Sequence, residues 1–245
     1  MKRNEKVARV FAVLAATLLV ALASGCAWIT KTGDLRTETE TVELDGAEQA
    51  EVHLRMGAGQ LDLSGGAEGA MLAEATFTYN VPDWKPTIDY VVAGDEGELW
   101  IEQPEAETLG LDSYRYAWDV QLNQEVPMQL DVGLGAGESQ IDVSTLSVSE
   151  LDLNVGVGGV ELDLTGDRAE DVDVIVRGGV GEATVLLPSE VGVEARVGGG
   201  LGDLNVSGLT QQGDVYVNQA YGTSEATIRL DIEGGIGGVT LRVVE

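Results

Sequence analysis

The chain has 245 residues, with 42 acidic against 14 basic side chains, a formal net charge of −28, one cysteine and one histidine. An acidic surface of this kind excludes nucleic-acid binding, which needs basic patches to neutralise phosphates. A single cysteine excludes an intramolecular disulfide. Hydrophobic residues make up 44% of the chain, so an unstapled core is expected rather than disorder.

The first 25 residues have the pattern of an export signal. Residues 2–9 carry four basic side chains and one acid, and residues 10–23 are almost all apolar. This apolar run is shorter than the roughly twenty residues that span a bilayer as a helix. We therefore predict a cleaved signal peptide at 1–25, with an uncleaved anchor as an alternative.

The segment Leu22-Ala23-Ser24-Gly25-Cys26 places small residues before the only cysteine. It resembles the lipobox of bacterial lipoproteins, which implies cleavage before Cys26 and a lipid on its sulfur. An ordinary secretory signal with a chance cysteine is the alternative. Cleavage would leave 10 basic and 41 acidic residues, a formal charge of −31. Because anionic headgroups repel such a chain, we expect the lipid to be its membrane attachment, outside the cytoplasm.

Six segments share one pattern, an alternating strand, a glycine-rich corner and a second alternating strand. The corner glycines Gly137, Gly158, Gly181 and Gly202 are 21, 23 and 21 residues apart. Glycine suits a sharp corner that needs positive φ or a close approach between backbones. The pattern predicts an all-β fold, a single-stranded β-solenoid with one rung per repeat and Val, Leu and Ile stacked inside.

Two insertions interrupt the repeat, at 66–127 and 207–224. The first contains strand-like stretches at 71–79, 88–92 and 99–103 and most of the aromatic residues, so we predict a β-rich insertion or cap. Residues 26–40 are polar and predict a tether. The predicted domain organisation is thus 1–25, 26–40 and a solenoid over 41–245.

Several motifs resemble the bacterial toast-rack family: the repeated Gly-Ala-Gly followed by Leu-Asp-Leu, residues 77–86 and residues 216–222. The family is similar to the C-terminal domain of the envelope-stress regulator LiaF and to candidate adhesins. The resemblance, over nearly all of 40–245, implies an extracytoplasmic right-handed β-solenoid linked to envelope stress or surface interactions. It implies no catalytic residues, and the chain lacks the membrane-spanning region of LiaF.

Catalytic motifs are scarce, and we predict that the protein is not an enzyme and needs no cofactor. His53 lies between inward Val52 and Leu54 and is expected to point to solvent. Asp62, Asp142 and Asp163 are expected to be outward residues of repeated strands, so a polysaccharide-processing β-helix with paired carboxylates is only an alternative.

A ladder of acids is a weak candidate for calcium. If the rungs stack in register, Asp131, Asp152, Asp173 and Glu194 lie about 4.8 Å apart and repel one another. Ca²⁺ prefers carboxylate and carbonyl oxygens and would relieve this repulsion. Exposed acids screened by water are the favoured alternative, with no metal site.

The aromatic insertion is the candidate recognition element, because aromatic side chains anchor many interfaces and sugar contacts. Trp84, Trp100 and Trp118 are the candidate ligand-binding residues, although the same cluster is also interpreted as a small core that caps one end. The leading hypothesis is a non-enzymatic envelope lipoprotein that presents an interaction surface to envelope proteins or glycans, with envelope-stress sensing as its candidate role. The alternative is an adhesin or glycan-binding module.

Overall fold

A computed structural model of the protein describes residues 32–104 and 114–244. Within these ranges the chain is almost entirely strand, which confirms the predicted all-β fold. None of the described segments is a helix long and apolar enough to cross a bilayer. The strands are β1 Arg36–Glu43, β2 Gln49–Ala67, β3 Met71–Tyr79, β4 Thr87–Ala93, β5 Glu96–Glu102, β6 Tyr116–Asn123, β7 Met128–Asp142, β8 Val148–Asp163, β9 Val172–Pro188, β10 Gly192–Leu201, β11 Leu204–Ser207, β12 Thr210–Gln212, β13 Val215–Val217 and β14 Thr227–Val244. A 3₁₀ turn, Pro82–Trp84, lies between β3 and β4.

Each long strand is one rung that turns a corner at a glycine. The corner glycines of β7, β8 and β9 pair in register and have φ between 143° and 150°. A Cβ at Gly158 would overlap the carbonyl oxygen of Gly137 on the preceding rung. The predicted corners are therefore real, and glycine is required both by the positive φ and by the close approach of neighbouring backbones. We call the residues before each corner the first arm and those after it the second arm.

The rungs do not stack in chain order throughout. The spatial order is β2, β7, β8, β9, β14, β10, all parallel, so the last strand of the chain lies between β9 and β10. The expectation that consecutive repeats stack on one another is wrong at this point. The reason is that all rungs share one apolar pattern, so each can pack on any other and the pattern alone does not specify their order.

The insertion between the first two rungs extends both arms of β2. β5 pairs in parallel with the first arm of β2, and β6 pairs in parallel with its second arm. The antiparallel strands β4, β3 and β1 continue the sheet outward. Strand β3 has the predicted bounds, whereas β6 was missed. The insertion thus covers the first rung of the stack.

The tether predicted at 26–40 overlaps a strand, because β1 begins at Arg36. Its alternating threonines pair with those of β3: the hydroxyls of Thr37 and Thr78 lie 3.1 Å apart, and those of Thr39 and Thr76 lie 2.9 Å apart. Cross-strand threonine pairs of this kind stabilise sheets. A polar edge strand was therefore mistaken for a linker.

The core consists of columns of aliphatic side chains that run from rung to rung. One column on the first arms is at most 3% exposed and contains Leu54, Val132, Leu153, Val176 and Ile232. Full burial of one such side chain contributes roughly 1.5–3 kcal/mol. Because the alternate residues point outward, the opposite side of each first arm is free to carry polar groups.

Candidate interaction face

The outward side chains of the first arms form one continuous polar surface, which we call the first-arm face. The register aligns three rows of side chains across the rungs. The middle row contains, in spatial order, His53, Asp131, Asp152, Ile175, Asp231 and Arg196. Acidic side chains and an arginine thus lie side by side in this row, on a protein whose total charge is strongly negative.

The predicted ladder of four acids does not form. Asp131 lies opposite Asp152, as expected, but Asp173 lies opposite Glu150 and Arg229. Arg229 in turn separates Asp173 from Glu194. The cause is the repeat length: 23 residues rather than 21 separate the corners of β8 and β9, and the two additional residues precede the corner.

Arginines pair with most of the acids of the first-arm face. Arg55 bonds the Asp131 carboxylate, and Nη1 of Arg177 lies 2.7 Å from both carboxylate oxygens of Asp152. Arg196 contacts Asp231 at 3.2 Å. These side chains are a third to a half exposed, so each pair adds little to stability. Their effect is to relieve repulsion between neighbouring acids and to hold the side chains in place.

The Asp131 carboxyl shows the balance of effects on this face. Partial burial raises the pKa of this carboxyl. The Arg55 guanidinium and the His53 ring beside it lower the pKa by a larger amount, so the net pKa is below the ordinary value. Asp131 is therefore ionised throughout the neutral range and keeps Arg55 in position.

Contrary to the prediction, His53 is not exposed to solvent. Its side chain points outward but is 6% exposed, because the ring of Trp100 on β5 stacks on it with centroids 3.8 Å apart and an interplanar angle of 14°. The imidazole nitrogens lie 3.4 Å from Asp131 and 3.2 Å from Glu51. These contacts hold the ring in place.

A shallow groove of about 630 Å³ lies beside the corner on the first-arm face. Its floor is backbone, since the positions next to the corner are glycines, and its walls include polar side chains. Gln103 accepts hydrogen bonds from the backbone N–H groups of Gly57 and Ala58, at 2.7 and 3.2 Å. The residues on the polar side are Arg55, Gln103, Asn154 and Arg177. The sequence analysis missed this groove. A signal for it was present, because a further glycine lies two residues before each corner glycine, as Gly135 does before Gly137.

The three predicted tryptophans do not share one site. Trp84 and Trp118 are 3% and 1% exposed and belong to an aromatic cluster with Tyr116, whose ring centroid lies 5.3 and 5.9 Å from theirs. The Tyr116 hydroxyl donates to the carbonyl of Trp84 at 2.8 Å, and burial raises the Tyr116 pKa well above its ordinary value. These two tryptophans are core residues, and of the three only the partly exposed Trp100 lies on the first-arm face.

The predicted lipidation of Cys26 remains an expectation. Cys26 lies outside the described residues. Within the described ranges, no group of three or more His, Cys, Asp or Glu is placed to hold a metal ion. The acids of the first-arm face are instead arranged as pairs with arginines.

Residues 31–186 match the sequence profile described as "N-terminal domain of toast_rack, DUF2154". The chain belongs to the toast-rack family. Residues 135–241 also match the profile described as "Cell wall-active antibiotics response LiaF, C-terminal". The resemblance inferred from the glycine corners and the 77–86 motif is therefore confirmed. No curated protein matches the chain.

One solved structure supports the family assignment. A crystal structure of a candidate cell adhesion protein from Clostridium sporogenes is 36% identical, with a TM-score of 0.80, and the match covers 86% of this toast-rack chain and 100% of that one. A candidate adhesin from Bacteroides fragilis is 11% identical over 85% of this chain and 97% of its own, with a TM-score of 0.29. At that TM-score the second likeness supports no argument about this protein.

Proposed function

We propose that this toast-rack protein is a non-enzymatic lipoprotein of the bacterial cell envelope that presents the first-arm face to a binding partner. The observation that carries the proposal is the face itself: arginine and acid side chains held in place by one another, beside a groove with a backbone floor. Preordered side chains bind at a lower entropic cost than mobile ones. The similarity to the LiaF C-terminal domain and to a candidate cell adhesion protein supports an envelope setting.

The anchor proposal rests on the lipobox-like segment before Cys26. The test is mass spectrometry of the mature N-terminus together with fractionation of a Cys26→Ser variant. We expect a diacylglyceryl group on Cys26 in the wild type and release of the variant from the membrane fraction. An unmodified Cys26, or a variant that stays membrane-bound, would contradict the anchor and leave the solenoid unaffected.

The face proposal is tested by reversing charge on it. We expect the double variant Arg55→Glu/Arg177→Glu to lose binding to envelope proteins cross-linked to the wild type in intact cells and identified by mass spectrometry. Arg242→Glu is the matched control, because Arg242 is exposed on the second arm of β14. Equal cross-linking by both variants would contradict a role for the first-arm face.

A glycan-binding adhesin is the second candidate, favoured by Trp100. Its partly exposed indole lies on the first-arm face, with the Arg55 guanidinium carbon 5.6 Å from the ring centroid. Aromatic rings with nearby hydrogen-bonding groups are suited to sugar contacts. On an array of cell-wall glycans, Trp100→Ala should lose binding, whereas the control Tyr114→Ala, a 45% exposed aromatic on the insertion, should keep it. Absence of wild-type binding would reject this candidate.

A further inference from the structure

The last rung of the stack, formed by β10 and β11, exposes positions that are buried in the other rungs. Val206 is half-buried, whereas its equivalents on the neighbouring rungs, Leu241, Val185 and Leu162, are fully buried. Leu204 is 40% exposed. The apolar interior of the solenoid is therefore open at this end, which is the opposite end from the insertion.

The interior is also incompletely filled near this end. An apolar cavity of about 100 Å³ lies between the two arms and is lined in part by Val155, Val176, Val197, Ile232 and Val239. Cavities and half-exposed aliphatic side chains both forgo favourable contacts. Additional apolar surface laid against the last rung would recover part of them.

The backbone edge of the last rung is free as well. The β12–β13 hairpin covers β10 only at Glu194 and Ala195, and the adjoining Asn218 bonds the backbone of Val193. In the described part of the chain, the rest of β10 and all of β11 pair with β14 alone. One edge of these strands thus presents unpaired N–H and C=O groups, which favour pairing with another strand.

This edge lacks the charges that protect the other end. Strand β1, the outermost strand beyond the first rung, carries four charged side chains in eight residues. Strand β11 carries none, and Asp203 is the single charged residue from 197 to 209. Charged edge strands resist strand-to-strand association, and uncharged ones permit it.

We propose that two copies of this chain pair end to end through their last rungs. A twofold axis near Gly202 brings β11 of one copy antiparallel to β10 of the other, so that the apolar residues of both arms are buried together. The partner is a second copy because the stack already shows that a rung of this pattern accepts another such rung, as β10 accepts β14. The strongly acidic chain also meets its copy where it carries least charge, and an isologous contact needs only one surface.

The first test is the mass of the full chain, purified in mild detergent, by sedimentation velocity and light scattering. We expect a dimer at micromolar concentration and at least ~10-fold weaker dimerisation for Leu204→Glu and Val206→Lys, since a charge would be buried in the contact. Val91→Lys is the control: Val91 is a 63% exposed valine on β4, at the other end, and this variant should remain dimeric. A monomeric wild type, or a dimer that survives both edge variants, would overturn the proposal.

A second test does not depend on how well those variants fold. Asp203 is exposed and lies beside the proposed axis, so two copies of Asp203→Cys, in a Cys26→Ser background, should form an intermolecular disulfide. Val91→Cys in the same background should form at least ~10-fold less of the disulfide-linked dimer. Equal cross-linking of the two cysteines would show random collision and reject the twofold contact.

Discussion

Arg177 on β9 contacts both carboxylate oxygens of Asp152 on β8, with Nη1 2.7 Å from each. Ile175 lies opposite Asp152, where a neighbouring acid was expected, and Arg177 reaches Asp152 from two residues further along β9. This contact shows how a chain with 42 acidic residues stacks its rungs without a column of unpaired carboxylates on this face. A cation from solution is therefore not needed to relieve repulsion at Asp152.

The first prediction concerns calcium. Because Asp131 and Asp152 are paired with arginines and Asp173 lies beside Arg229, we expect the Tm to change by less than about 1 °C in millimolar Ca²⁺. Differential scanning calorimetry with and without EDTA measures this, with Mg²⁺ as the control. A rise in the Tm of several degrees with Ca²⁺ but not with Mg²⁺ would show that these acids form a cation site.

The second prediction concerns the corners. Gly158→Ala should reduce the free energy of unfolding by about 3 kcal/mol or more, because the new methyl group overlaps the Gly137 carbonyl and the φ of 145° disfavours L side chains. Gly178→Ala is the matched control on the next rung, where a Cβ meets nothing within 4 Å. It should change stability by no more than about 0.5 kcal/mol in urea denaturation. Equal losses would contradict the corner argument.

The third prediction concerns Asp62, which lies opposite Asp119 on β6. Partial burial, and then the charge of Asp119, raise the Asp62 pKa above its ordinary 3.8. A carboxyl whose folded pKa is raised opposes folding when ionised, so stability decreases as the pH rises through that folded pKa. Asp62→Asn should therefore raise the Tm by about 1–3 °C at pH 7, an advantage that disappears below pH 3.8. Asp34→Asn, at an exposed site near the start of the described chain, is the control and should leave the Tm at pH 7 unchanged.

The fourth prediction separates the tryptophans. Trp118→Ala should cost about 3–5 kcal/mol, because it removes a buried ring that packs edge-on against Phe77 at 5.5 Å. Trp100→Ala should cost about 1 kcal/mol, since its ring is partly exposed. Chemical denaturation followed by circular dichroism measures both. A larger loss for Trp100 than for Trp118 would contradict the assignment of core and surface.

The candidate site was less predictable than the fold. The alternation around residue 53 correctly indicated that the His53 side chain points outward, but its burial depends on Trp100, which is 47 residues away in the chain. Likewise, the clustering of aromatic residues in the insertion suggested a recognition site, but Trp84 and Trp118 are buried in the core. The sequence pattern indicates in which direction a side chain points. Whether that side chain is buried depends on strands that are distant in the chain.

By itself the sequence determined that the rungs are strands, that their corners lie at Gly137, Gly158 and Gly181, and that aliphatic side chains alternate into the core. These features follow from the local backbone needs of glycine corners and from the two-residue period of a strand. Only the tertiary structure decided that Asp173 meets Arg229 rather than Asp152, and that β14 lies between β9 and β10. Register and rung order depend on which of several alternative strand pairings has the lowest free energy. Because the repeats are so similar, the local sequence pattern does not distinguish between these pairings.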